Sequence, residues 1–190
     1  MPRRRQLETK CRLMIHASVL DLLERESAKA LRTETGGVIA GRGDLESAEV
    51  HVTHASKPGP RARRTMFSFS RDTNYCQQFL DRLAVGSDGE IDYLGEWHKH
   101  HEDVPRPSGR DIATSSEIAF DTDYHVKLCL LFIIGRSNKR DSLRAFVVDS
   151  AGCTTKIEWE VCIYCKYDNI DLVHSATIQP GSRGSRSSND

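Results

Sequence analysis

The chain has 190 residues, 38% of them apolar and 28% charged, and its 27 Lys and Arg balance 27 Asp and Glu. That is enough for one domain around a single core, and a net charge of zero excludes the whole-molecule field that draws proteins to nucleic acid or anionic membranes. No apolar run nears the ~20 residues of a membrane helix; the longest, Leu128 to Ile134, is strand-sized. The basic start Met1-Pro2-Arg3-Arg4-Arg5 lacks the apolar stretch of a secretion signal, and six irregularly spaced cysteines do not read as a secreted disulfide scaffold. The expectation is a soluble, cytoplasmic protein.

Residues 1–9, and the Ser/Gly/Arg-rich stretch 175–190, are too poor in apolar side chains to offset the entropy of ordering them. The folded domain is therefore expected over 10–174. Within it, Arg12 to Ile15 reads as a strand. Ser18 can cap a helix whose Leu20, Leu23, Ser27, Ala30 and Leu31 share one stripe. Gly36-Gly37 ends that region and Val38-Ile39-Ala40 opens a buried strand. Glu49 to Ala55 alternates apolar and polar residues with the period of a half-exposed strand.

A loop follows, with Pro58, Pro60 and four arginines between 61 and 71. Asp72 can cap a second helix that aligns Tyr75, Cys76, Phe79, Leu80 and Leu83. Ile91 to Trp97 reads as a strand, a loop rich in histidine and proline leads to Ser108, and a third helix runs to about Phe120. Val126 to Ile134, Leu143 to Asp149 and Thr154 to about Ile163 complete a β-rich last third, read as a meander. Helices between strands followed by further strands describe an α/β fold, a mixed β-sheet flanked by helices.

The segment Trp97-His98-Lys99-His100, then seven residues, then Ser108-Gly109-Arg110-Asp111 stands apart. His98 and His100 lie two apart at a strand end, so both imidazoles leave on one side. Asp111, in the first turn of the next helix, can turn its carboxylate back toward them. Two histidines and a carboxylate make a three-ligand zinc set that leaves a fourth position for water, and such a water is acidified toward neutral pH. The reaction then needs a base and a donor for the oxyanion. Glu34, in Thr33-Glu34-Thr35-Gly36-Gly37, is the best base the sequence offers, and Ser108 can supply a hydroxyl. Ser108-x2-Asp111 is also the S-x-x-D of a helix capping box; the two roles are compatible.

These residues carry a resemblance. Gly95-Glu96-Trp97-His98-Lys99-His100 with Pro107-Ser108 and Asp111 resembles the JAMM (JAB/MPN+) metalloprotease motif H-x-H-x7-S-x2-D, and Glu34-Thr35-Gly36-Gly37 is similar to that family's upstream glutamate element. The resemblance spans about 12–150. It implies a cytidine-deaminase-like JAB/MPN fold, one zinc per chain held by His98, His100 and Asp111, Glu34 as general base and Ser108 on the oxyanion side. It also implies hydrolysis of an isopeptide or peptide bond after the C-terminus of a ubiquitin-like or similarly conjugated protein. The Gly-Glu-Trp-His phrasing looks most like the stand-alone bacterial branch, which accompanies E1/E2-like conjugation enzymes in antiphage systems such as CBASS. A non-catalytic MPN scaffold is the alternative.

Two positions depart from the family pattern: Lys99 stands where Ser or Thr is usual between the histidines, and His101 where Pro is usual. Strand alternation turns Lys99 away from a metal, though toward a possible substrate contact, and puts His101 on the face opposite His100. Elsewhere, Cys162-x2-Cys165 raises the question of a second metal, but residues three apart on a strand face opposite ways, so these read as buried thiols, as do Cys76 and Cys129. His51 and His54 fall on opposite strand faces. The basic loop Lys57 to Arg64, with Arg71, is a solvated loop or a grip for an acidic partner.

Overall fold

The structure is a computed structural model and describes residues 11–137 and 142–163. In chain order the elements are β1 (Arg12–His16), α1 (Ala17–Lys29), β2 (Thr35–Arg42), β3 (Glu49–Ala55), β4 (Arg63–Arg64), β5 (Phe69–Ser70), α2 (Thr73–Gly86), β6 (Asp92–Lys99), α3 (Gly109–Phe120), a 3-10 turn (Thr122–Tyr124), β7 (Leu128–Ile134), β8 (Leu143–Asp149), β9 (Thr154–Ile157) and β10 (Trp159–Cys162). Eight strands form one mixed sheet in the order β10-β1-β3-β2-β6-β7-β8-β9, and β4 and β5 make a separate small hairpin. The α/β sheet flanked by helices expected from the sequence is the fold.

Burial of apolar surface explains the layering. On one face α1 sets Val19, Leu20 and Leu23 against Leu13, Ile15, Val50, Val52, Trp97, Leu130 and Phe132. On the other, α2 and α3 bring Cys76, Phe79, Leu80 and Ile118 onto Val38, Tyr93 and Cys129. Cys76 and Cys129 are core thiols, as their stripes suggest.

The faces are kept in phase by an irregularity in β6. Its register against β2 slips between the pairs Ile39–Gly95 and Ala40–Tyr93. Leu94 and Trp97 therefore both reach the α1 core while Tyr93 belongs to the α2/α3 side. A bulge of this kind resets strand alternation. Only glycine fits at its centre, since a Cβ on Gly95 would lie 1.8 Å from the Leu130 carbonyl oxygen. Beyond the bulge, Glu96, His98 and His100 face α2 and α3, and Trp97 and Lys99 face α1.

The structure corrects several expectations. Ser18 is not the cap of α1: the helix starts at Ala17 after His16, and Ser18 Oγ instead meets His16 Nδ1 at 2.7 Å. Leu31 leaves the helical stripe because α1 stops at Lys29, and it is exposed. Residues 61–71 include the β4–β5 hairpin where a plain loop was expected. The last third is not a simple meander. β9 pairs antiparallel with β8 at one sheet edge, and after Glu158 β10 pairs parallel with β1 at the other. One intervening residue joins the two ends of the strand order, so the sheet coils until its edges approach. Alternation along a sequence marks strand, but not the partner. Residues 1–9 and 175–190, with Cys165, lie outside the described residues; Cys162, expected as a buried thiol, is half-buried at the end of the edge strand β10.

Candidate metal centre

The site forms where β6 hands over to α3. His100 continues the ladder beyond β6, donating its backbone N–H to Ile134 O at 2.8 Å, so it keeps the orientation of His98. Trp97, just before His98, anchors the strand from the other face through Nε1–H to Ser56 O at 2.9 Å. The neighbouring β2 approaches closely because Gly36 has no side chain: a Cβ there would lie 2.3 Å from Trp97 O and 2.8 Å from His98 Cδ2. That is the physical content of the Glu-x-Gly-Gly pattern. Phe69 of β5 packs edge-on to the His98 ring at 5.7 Å.

Ser108 is the N-cap of α3. Its Oγ accepts the Asp111 N–H at 3.2 Å, and Asp111 Oδ2 accepts the Ser108 N–H at 2.7 Å, a complete capping box. The same carboxylate faces both histidines: Oδ1 lies 2.8 Å from His98 Nδ1, and Oδ2 lies 3.2 Å from His100 Nε2. Ligand atoms from His98, His100 and Asp111 all fall within 4.8 Å of one another. A tetrahedral ion with bonds of about 2 Å needs donors roughly 3.3 Å apart. The donor set and its spacing both fit a divalent metal, zinc foremost.

The three side chains shift one another's protonation. Burial alone would raise the Asp111 pKa, but hydrogen bonds from His100, His98 and Ser108 hold its carboxyl well below the usual range. Burial likewise opposes charge on His98, yet its bonds to Asp111 and Glu96 prevail and lift it to about 9. His100 is raised as well: burial is outweighed by Asp111, with a smaller push from Glu34.

Glu34 lies just before β2, and its N–H donates to Thr65 O at 2.8 Å, tying it to the β4–β5 hairpin. Glu34, His98, His100, Ser108 and Asp111 all line a single cavity of about 380 Å³, walled by Phe67, Phe69 and Arg110. The five residues expected from the sequence are thus brought together.

Three other positions resolve differently from one another. Lys99 does turn from the cleft: it is buried, and its Nζ donates to Ala30 O at the end of α1. His101 is outside the ligand group and lines a neighbouring hollow with Leu31 and Phe67. Arg71 is no free grip for a partner, because its guanidinium pairs with buried Glu96. Glu96 is the residue that sequence reasoning missed. The signal was its position two before His98, on the same strand face; Arg71, 25 positions upstream, gave none. Among the described residues His51 and His54 join no ligand group; His51 meets Glu49 at 2.6 Å and His54 meets Thr53 at 2.8 Å.

Known proteins resemble this chain in sequence and in fold. The chain is similar to a protein of Escherichia coli (strain TW11681) named CD-NTase/cGAS isopeptidase, 40% identical over 80 residues, which are 42% of this chain and 50% of that one. A protein of the same name from Enterobacter hormaechei is 27% identical over 124 residues, 65% of this chain and 67% of that one. The chain therefore spans half the length of the first relative and about two thirds of the second. A solution structure of a Desulfitobacterium hafniense protein shares the fold, with a TM-score of 0.61 at 17% identity, covering 81% of this chain and 95% of that one. The model of the prokaryotic homologs of the JAB domain matches residues 16–149, from the end of β1 to the end of β8, and the chain belongs to that family.

Proposed function

We propose that this protein is a zinc-dependent isopeptidase of the JAMM type, with one zinc per chain. It cleaves the bond after the C-terminus of a ubiquitin-like or similarly conjugated protein. The observation that carries this reading is the meeting of His98, His100 and Asp111 in one cleft with Glu34 and Ser108. The names of the two relatives, CD-NTase/cGAS isopeptidase, support a nucleotidyltransferase as the conjugated protein, and an antiphage setting with E1/E2-like enzymes accords with that substrate.

His98, His100 and Asp111 would hold the ion. A divalent metal in that set supplies a Lewis acid for the scissile carbonyl and acidifies a water molecule. Glu34, on the cavity wall beside His100, takes the proton of the attacking water and passes it to the leaving amine. Ser108 Oγ already accepts the Asp111 N–H, so its own hydrogen is left to donate toward the developing oxyanion. Phe67 and Phe69 on the hairpin give one side of the cavity an apolar wall. A substrate tail enters extended, adding backbone hydrogen bonds along the hairpin edge.

The test is metal content together with cleavage. The purified full-length chain is expected to hold one zinc and to release a lysine-linked conjugate of a nucleotidyltransferase C-terminus, read by mass spectrometry. Chelation should stop release and zinc should restore it. A folded chain with neither zinc nor cleavage would leave only the scaffold reading.

A further inference from the structure

Glu96 sits in the middle of β6, between β2 and β7, and is 3% exposed. Arg71, between β5 and α2, places Nη1 on one carboxylate oxygen, and His98 Nε2 lies 3.4 Å from the other. A buried ion pair adds little net stability over apolar side chains of the same volume. Packing therefore gives no reason for a charge in the centre of this sheet.

An imidazole can hold a metal through one nitrogen only; the other keeps its hydrogen and needs an acceptor. The two nitrogens of His98 face two different carboxylates. Nδ1 is on the Asp111 side at 2.8 Å, among the ligand atoms, and Nε2 faces Glu96. We propose that Glu96, clamped by Arg71, accepts the Nε2–H of His98 and thereby fixes the tautomer and ring orientation that present Nδ1 to the metal.

Glu96 is then a positioning residue, and its role rests on the metal-hydrolase reading above. The two ligand histidines are unequal. The second nitrogen of His100, Nδ1, lies 3.8 Å from exposed Glu102, where water competes. His98 is the anchored ligand of the pair.

The experiment uses the full chain, stripped of metal and titrated with Zn2+ or Co2+ alone. Glu96→Gln keeps the volume and removes the charge. Its zinc affinity in chelator competition should fall about 10- to 100-fold, with a shifted visible spectrum of the cobalt form. The double variant Glu96→Gln/Arg71→Met removes both buried charges; its Tm should return toward wild type while its metal affinity stays weak. Affinity recovered along with Tm would make Glu96 merely structural and overturn the proposal. So would wild-type affinity and an unchanged cobalt spectrum in Glu96→Gln, even though the wild-type chain still bound zinc and cleaved. A wild-type chain that takes up no metal at all overturns the hydrolase reading, and this inference with it.

Discussion

Asp111 and Ser108 close a reciprocal capping box at the start of α3 while the same Asp111 carboxylate lies 2.8 Å from His98 Nδ1. One side chain thus caps a helix and faces both histidines of the proposed ligand set. The helix start holds the carboxylate rigid, which is what a preorganised metal site requires. The two duties can be separated by substitution.

Asp111→Asn keeps an acceptor for the Ser108 N–H, whereas Asp111→Ala removes it. Both should lose metal and cleavage. Only the alanine should also lose the box, at a further cost of about 1 kcal/mol. Unfolding curves of the metal-free variants, beside their zinc contents, check this.

At the cap itself, Ser108→Gly should cost only a few tenths of a kcal/mol, since glycine is tolerated at N-caps. It also deletes the hydroxyl, and turnover is expected to fall about 10²- to 10³-fold, the loss usual for an oxyanion donor. Zinc should remain bound. Turnover equal to wild type would remove Ser108 from the reaction.

Glu34 lines the cavity but belongs to none of the ligand contacts. Glu34→Ala should therefore keep a full complement of zinc and lose cleavage. Full turnover by that variant excludes Glu34 as the base.

Lys99 offers a control on the same strand. Its ammonium caps the Ala30 carbonyl on the α1 side of the sheet, a favourable place for a cation at a helix C-terminus. Lys99→Ala leaves that carbonyl without its donor, which should cost about 1–3 kcal/mol. Zinc content and turnover of the folded variant should match wild type.

The metal-free chain has its own pH signature. His98 rises from its ordinary 6.5 to about 9 on folding, so its stabilising pairing is complete below 6.5 and is lost as pH climbs through 9. Asp111 is depressed below 3.8, so its share is present above that value and is lost as pH falls further. The Tm gap between metal-free wild type and Asp111→Asn should be widest at about pH 4 to 6.5 and close above about pH 9. An undiminished gap at pH 10 contradicts the pairing.

Much of the site was legible because its signals are short-range. His98 and His100 share a strand face by the period of two, and Ser108 and Asp111 share a helix turn by the spacing of the capping box. Glu34 could be picked out only because Gly36, beside it, admits the backbone of β6. Glu96 escaped because a carboxylate two residues before a histidine looks like any other strand residue until burial is known. Arg71 escaped for a stronger reason: ordinary in its loop, it acquires a role only where the sheet places it against Glu96.

The amino-acid order by itself pointed to most of the element types, to the donor set His98, His100 and Asp111 and to the family, since each rests on local periods and fixed spacings. Tertiary structure alone decided which strands pair and what Lys99 and Arg71 do. It took β10 away to β1, buried Lys99 under α1 and turned Arg71 inward to Glu96. Pairing across a sheet, and the burial of a charge, depend on chain segments far apart in sequence, and no local pattern encodes their meeting.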